Sequence, residues 1–199
     1  MEVEIKLRLG GAAAHARLAE ALAARHRAKH HQENFFFDGS NGELSSQRVV
    51  LRVRFYNVDQ RAVMTVKGKS IITDGVGRAS EQEADCDPVA AREFVAEPAA
   101  LLGPAAPPLA REVAGQLGVE QFVSLGGFKN IRDVFSWEGL ELELDETQYA
   151  WGTLYELECE TENPDAVKPK LEALLTDLGV EYAYSTVSKF ANFRNKTLL

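Results

Sequence analysis

The sequence predicts a mainly β fold of the α+β class, built from antiparallel hairpins with helices packed on them. Three observations lead there. Charged and apolar residues alternate with period two through many segments. Turn-forming Gly, Asn and Asp separate those segments at short intervals. A few Ala- and Leu-rich stretches carry helical spacing instead.

The elements follow in order. Residues 2–9 alternate strictly: Glu2, Glu4, Lys6 and Arg8 point one way, and Val3, Ile5, Leu7 and Leu9 the other. Gly10 and Gly11 break that strand. Residues 12–27 read as a helix, with Leu18 and Leu22 one turn apart. An aromatic strand is expected over 32–37 and a turn region over 38–46. Residues 49–55 form a strand with Arg48, Arg52 and Arg54 on one face. Residues 62–69 form another, with Lys67 and Lys69 on one face. After a turn at Asp74, Gly75 and Gly77, residues 78–86 place Glu81, Glu83 and Asp85 together. Helices are expected over 88–100 and 109–118, joined by a Pro/Ala-rich connector. Strands are expected over 122–125, 128–137, 140–147 and 153–161, with Gly126-Gly127 as a turn or bulge. Asn163-Pro164-Asp165 starts a helix to Leu178, and residues 186–194 form a short terminal helix.

Composition narrows the function. A hydrophobic content of 45% over 199 residues suits one ordinary domain, here taken as residues 1–199. The net charge of -8 argues against a nucleic-acid or anionic-membrane binder. No apolar run approaches the ~20 residues that span a bilayer. The opening MEVEIKLRL is neither a signal nor a transit peptide, so a cytoplasmic protein without a membrane partner is expected. Cys86 and Cys159 have no CxxC or Cys/His spacing and read as buried small hydrophobes of a reducing compartment. His30 and His31 would face opposite ways on a strand, and His15 and His26 read as helix surface. Zinc-ligand spacing is therefore missing, as are GxSxG, HExxH and P-loop motifs.

The wet faces of these strands are almost purely ionic, and each is nearly of one sign. Glu81, Glu83 and Asp85 are acidic, as are Glu141, Glu143 and Asp145, and Glu156, Glu158 and Glu160. Arg52 with Arg54, and Lys67 with Lys69, are basic. Two readings stand. The faces are solvated and laced by cross-strand ion pairs, or the sheet closes with its charges inside, for which roughly eight strands suffice. In the second reading carboxylates gather a divalent metal, Lys and Arg gather an oxyanion, and the apolar faces turn outward under the helices. An all-oxygen site suits Mg²⁺ or Mn²⁺. Without a covalent nucleophile, the simplest chemistry is metal-assisted attack of water on a phosphoryl group.

The ordered series Glu2-Val3-Glu4-Ile5-Lys6, Arg52-Val53-Arg54, Lys67, Glu81-Gln82-Glu83, Arg132, Asp145, Glu158-Cys159-Glu160 and Lys189 resembles the CYTH superfamily, the triphosphate tunnel metalloenzymes. The likeness runs from residue 2 to about Arg194. The pieces HQENFFFD (31–38), LGGFKNIR (125–132), LDETQY (144–149), YELECET (155–161) and SKFANFR (188–194) are most similar to its small plant tripolyphosphatase members. The resemblance implies a closed eight-stranded antiparallel β-barrel, with helices outside and a C-terminal helix near one mouth. It implies metal ligation by Glu2, Glu4, Glu158 and Glu160, and phosphate binding by Lys6, Arg52, Arg54, Lys67, Arg132 and Lys189. Glu2, Glu4, Lys6 and Lys189 become the catalytic set, with Glu81, Glu83, Asp145 and Glu156 as further acidic lining. Which two of Glu156, Glu158 and Glu160 stand closest to metal stays open, as does whether Arg8 and Lys69 sit at the mouth or pair with carboxylates. The implied activity is hydrolysis of inorganic triphosphate to pyrophosphate and phosphate by a monomer using Mg²⁺ or Mn²⁺, two ions when substrate is bound. The alternatives are an organic-triphosphate enzyme on the same fold, a thiamine triphosphatase or adenylyl cyclase, and a non-catalytic polyphosphate or nucleotide-binding module. An organic substrate calls for an aromatic platform, for which Phe36, Trp137 and Trp151 are candidates.

Overall fold

The computed structural model describes residues 2–199. The chain forms two compact units. One holds the chain up to His30, Ile71–Arg78 and Asn130–Leu199; the other holds His31–Ser70 and Ala79–Lys129.

In the first unit, β1 (Glu2–Leu9) pairs antiparallel with β10 (Gly152–Glu160), and β10 with β9 (Leu140–Tyr149). The register sets Glu4 opposite Glu160 and Lys6 opposite Glu158. Period-two alternation then sorts each strand. Ile5, Leu7, Leu9, Leu142, Leu144 and Leu157 share one core with Leu18 and Leu22, and with Val167, Leu171 and Leu175. Leu18 lies on helix α1 (Ala12–Ala21), with Leu22 as its C-cap; the other three lie on helix α5 (Pro164–Asp177). Each fully buried leucine contributes about 1.5–3 kcal/mol. The charged residues of the same strands are left on the opposite face.

The second unit repeats the plan. Strands β3 (Val50–Tyr56), β4 (Arg61–Lys67) and β7 (Glu81–Cys86) pair in that order. Leu51, Val53, Phe55, Ala62 and Met64 pack against Leu44, Phe94, Leu109 and Val113. Those come from α2 (Glu43–Ser46), α3 (Pro88–Ala96) and α4 (Pro108–Leu117). Two long strands, β2 (His26–Gly39) and β8 (Phe122–Trp137), each give a segment to both units.

Antiparallel pairing and helix-covered apolar faces agree with expectation; strand count and closure do not. Among the described residues the sheet has eleven strands, and its hydrogen-bonded order has two ends, β5 (Ile71–Thr73) and β7. The expected single strand over 78–86 is the reason. It breaks at Ser80 into β6 (Val76–Ala79) and β7, near opposite ends of that order. A three-residue strand, β11 (Tyr182–Tyr184), adds to β1.

Smaller departures have local causes. The first helix ends at Ala21, with a 3-10 turn over Ala23–Arg25, so His26 and Arg27 open β2 instead of closing a helix. The expected turn region contains α2, because Asp38 Oδ1 accepts the Leu44 amide at 2.9 Å and Gly39 at 2.8 Å. Gly126 and Gly127 lie inside one continuous strand. Gly126 has φ 83°, and a Cβ on Gly127 would fall 1.8 Å from the Asn34 carbonyl oxygen. The terminal helix α6 (Lys189–Asn195) starts late because Ser188 Oγ caps it, accepting the Ala191 amide at 3.1 Å.

Candidate functional site

The first unit carries a buried ionic cluster on the charged faces of β1, β8, β9 and β10. Lys6 Nζ lies 2.8 Å from Glu4 Oε1 and 2.6 Å from Glu158 Oε1. The Arg132 guanidinium grips Asp145 with two bonds, Nε to Oδ1 at 2.8 Å and Nη2 to Oδ2 at 2.6 Å. Its Nη2 also reaches Glu158 Oε2 at 2.8 Å, and Nη1 pairs with Glu143. Lys189, the first residue of α6, pairs with Glu158, with Asp145 Oδ2 at 2.9 Å and with Glu156 Oε2 at 3.3 Å. Arg8 Nη2 stands 3.6 Å from Glu156 Oε1, within ion-pair range.

Burial alone would drive all these groups toward neutrality. For Glu158 that push is outweighed by Lys189, Lys6 and Arg132, which hold its carboxyl well below the ordinary range. Asp145 is lowered against the same burial penalty by Arg132 and then Lys189. Lys189 is raised well above a normal lysine, as Asp145, Glu158 and Glu156 overcome its desolvation. Lys6 shifts upward for the same reason, with Glu158 and Glu4 as partners. Lys6, Arg132 and Lys189 are therefore cations, and Asp145 and Glu158 carboxylates, at neutral pH. Five carboxylates (Glu4, Glu143, Asp145, Glu156, Glu158) face four cations (Lys6, Arg8, Arg132, Lys189), an acidic excess even before Glu2 and Glu160 of the same strand faces.

The second unit has the opposite bias. Arg52, Arg54 and Lys67 face Glu81 and Glu83. Lys67 Nζ pairs with Glu81 Oε2 at 2.8 Å. Arg52 reaches both glutamates only at 3.7 Å; its Nη2 donates to Thr65 Oγ1 at 2.9 Å, and its buried Nε has no acceptor among the described residues. Burial and the neighbouring Arg54 push the Arg52 guanidinium down to about 10. Its charge is thus under-compensated, the state in which an anion binds best. Arg54 Nε donates to Asn34 Oδ1 at 2.7 Å. Lys69 lies beyond β4 and is exposed.

Every sequence-predicted site residue therefore lies on a charged strand face or at the start of α6. Within the first unit Glu4, Lys6, Arg132, Asp145, Glu156, Glu158 and Lys189 are drawn into one cluster. Glu160 stays exposed, in register with Glu4, and Glu2 opens β1 at intermediate burial. The carboxylate oxygens have the chemistry of a hard-cation site. Among the described residues no three His, Cys, Asp or Glu form a cage by themselves.

The neutral residues that support the charges were not singled out from the sequence. They are Asn130 and Thr147 beside Asp145, Thr65 beside Arg52, Asn34 beside Arg54, and Ser185, whose hydroxyl donates to Glu156 Oε1 at 2.8 Å. Thr65, Thr147, Asn34 and Asn130 had a usable signal: each lies two residues from a named site residue on the same strand face (Lys67, Asp145, Phe36, Arg132) or directly opposite one in the ladder.

The candidate aromatic platforms are occupied by the protein itself. Trp137 is buried in the first unit's core, and Phe36 is buried against Phe128 with ring centroids 5.3 Å apart. Trp151 stacks on Tyr149 at 5.2 Å and on Phe193 at 6.2 Å, and its Nε1 donates to the Thr197 carbonyl at 3.1 Å. His26, expected on a helix surface, instead bonds Asp133 at 2.8 Å from the start of β2.

A fold of charged antiparallel strand faces backed by helices, with interleaved ExExK and acidic strands, defines a triphosphate-tunnel class. The chain belongs to the CYTH family: the CYTH domain matches residues 1–193, running through both units. A candidate adenylyl cyclase from Hippeastrum, described as having a dominant triphosphatase activity, is 43% identical, with TM-score 0.95 over 100% of this chain and 98% of that one. A Bacillus halodurans protein described as a candidate adenylate cyclase matches at TM-score 0.74 and 20% identity, over 97% of each chain. A Pyrococcus horikoshii protein matches at TM-score 0.62 and 21% identity, over 97% of this chain and 99% of that one. The latter two share the fold alone. No match was found among curated proteins. Among the described residues no helix is long and apolar enough to cross a membrane.

Proposed function

We propose that the protein is a metal-dependent inorganic triphosphatase that cleaves tripolyphosphate to pyrophosphate and phosphate. The observation that carries this reading is the buried cluster of Lys6, Arg132 and Lys189 on Glu158 and Asp145. Buried ion pairs are a poor route to stability, so so many in one place point to a ligand of high charge. The family and the described activity of the Hippeastrum relative supply the substrate class.

In this reading Glu2, Glu4, Glu158 and Glu160 would hold the divalent ion, Mg²⁺ or Mn²⁺. When bound, the ion supplies charge neutralisation of phosphate oxygens and a more acidic attacking water. The chain's own residues do the rest. Lys6 and Lys189 donate hydrogen bonds to phosphate oxygens, exchanging their carboxylate partners for the substrate. Arg132 offers a planar guanidinium already oriented by Asp145. Arg52, Arg54 and Lys67 are assigned further phosphate contacts; the under-compensated charge of Arg52 supports that. Glu81, Glu83, Asp145 and Glu156 hold these cations in place. The engaged state of Phe36, Trp137 and Trp151 favours an inorganic chain over a nucleotide or thiamine ester. The free thiols Cys86 and Cys159 agree with a cytoplasmic setting, and the same reading takes the protein as a monomer.

Phosphorus NMR of tripolyphosphate incubated with the protein and Mg²⁺ tests this. Equal amounts of pyrophosphate and orthophosphate are expected. Untouched tripolyphosphate with either metal would refute the assignment, and cyclic AMP formed from ATP would move it to a cyclase.

A further inference from the structure

Asp145 does not hold Arg132 and Lys189 unaided. Thr147, two residues along the same face of β9, donates its hydroxyl to Asn130 Oδ1 at 2.8 Å. Asn130, two residues before Arg132 on β8, donates Nδ2 to Asp145 Oδ1 at 2.8 Å. Thr147 and Asp145 are fully buried, and Asn130 is 2% exposed. The four side chains form a square across the β8–β9 ladder: Asn130 and Arg132 on one strand, Thr147 and Asp145 on the other.

The direction of each bond is fixed. Asp145, held as a carboxylate, can only accept, so it draws the Asn130 NH₂; the amide oxygen then faces Thr147, whose hydroxyl must donate to it. That donor and Arg132 Nε both occupy Oδ1, so Oδ2 is left to Arg132 Nη2 and Lys189 Nζ. The carboxylate is thereby held by a neutral donor on Oδ1 as well as by the two cations. Without the Thr147 hydroxyl the buried amide oxygen loses that donor, and the amide is free to tilt away from Asp145 Oδ1. A misplacement of a fraction of an ångström at Lys189 and Arg132 is costly for rate, because they act through orientation.

We infer that Asn130 and Thr147 are positioning residues, a neutral clamp that orients Asp145 and through it aims Arg132 and Lys189 at the transferred phosphoryl group. The inference rests on the triphosphatase reading. Thr147→Val keeps the side-chain shape and removes the donor; Thr147→Ser keeps the donor. Thr147→Val is expected to lower kcat on tripolyphosphate at least tenfold with KM within threefold, and Thr147→Ser to restore kcat to within threefold of the parent. Should Thr147→Val prove too unstable to assay, Asn130→Leu, near in size and neutral, removes the same link and is expected to lose kcat similarly. Parental kcat in Thr147→Val would overturn the inference. So would a loss that Thr147→Ser fails to rescue, or one that only follows the fraction of unfolded protein. If the parent binds tripolyphosphate without cleaving it, the triphosphatase reading fails, and the clamp, which acts on kcat, falls with it; a parent that cleaves no faster than Thr147→Val overturns the clamp alone. A parent that neither cleaves nor binds overturns both.

Discussion

Replacing Lys189 by methionine keeps most of the volume of the side chain and removes its charge, so the consequences can be worked from its three partners. Glu158 retains Lys6 and Arg132, and Asp145 retains Arg132 with Asn130. Glu156 retains Ser185 and the longer contact to Arg8. The lost cation is thus partly covered, and the cost should sit near the lower end of the range for breaking a buried pair, about 3 kcal/mol. For a chain of this size that lowers Tm by about 6–12 °C. The acid limb should move as well. Carboxylates with depressed pKa values stabilise the fold above the ordinary carboxylate range, and that stability is lost as pH falls through their folded values. Lys189→Met weakens the depression at Glu158 and Asp145, so acid unfolding should begin at higher pH than in the parent. On the other side, the raised pKa of Lys189 means that its own contribution is complete below about pH 10.4 and is lost only as pH rises through the folded value. Loss of one charged contact to the transferred phosphoryl group should lower kcat/KM on tripolyphosphate roughly hundredfold, about 2.7 kcal/mol. Calorimetric melts from pH 3 to 8 and phosphate-release kinetics check both parts. A variant that melts with the parent across that range and keeps parental kcat/KM would refute the reasoning.

Two further substitutions separate charge from packing. Arg52→Met removes a buried cation that burial and Arg54 already make costly; Tm should change by no more than a few degrees while calorimetric affinity for tripolyphosphate falls at least tenfold. A large Tm loss with unchanged affinity would assign Arg52 to structure instead. Gly127→Ala places a Cβ 1.8 Å from the backbone oxygen of Asn34, and backbone yields less readily than a side chain. It should lower stability by about 2 kcal/mol or more in denaturant titration, and parental stability would show that β8 and β2 can separate locally.

Much of this was readable from periodicity, and the reason is physical. In β1, β3, β9 and β10 one face is largely helix-covered and the other largely ionic, so most residues favour the same register. The charged residues of the cluster follow from that alternation. What alternation lacks is range. Ile71–Thr73 and Tyr182–Tyr184 are three residues long and exist through pairing with β6 and β1, which no local pattern announces. Ser80 divides what reads as one strand because its two halves take different partners. Nor does spacing distinguish Glu156 and Glu158, buried under Lys189, from Glu160 on the same face, because the difference comes from α6, which arrives from the far end of the chain. Asn130 and Thr147 escaped notice for a simpler reason. Neutral side chains on an ionic face look like filler until their hydrogen-bond direction is known.

In the proposed reaction a carboxylate-rich cluster and its buried cations carry out metal-dependent hydrolysis of an inorganic triphosphate. Its most direct test is kcat/KM for tripolyphosphate, measured on EDTA-treated protein while Mg²⁺ or Mn²⁺ is titrated back, with ATP and thiamine triphosphate run in parallel. The account predicts no turnover without metal, a saturable return of activity with it, at least tenfold preference for tripolyphosphate over both organic esters, and loss of the metal response in Glu4→Gln. Full turnover in EDTA, or kcat/KM on ATP equal to that on tripolyphosphate, would contradict it.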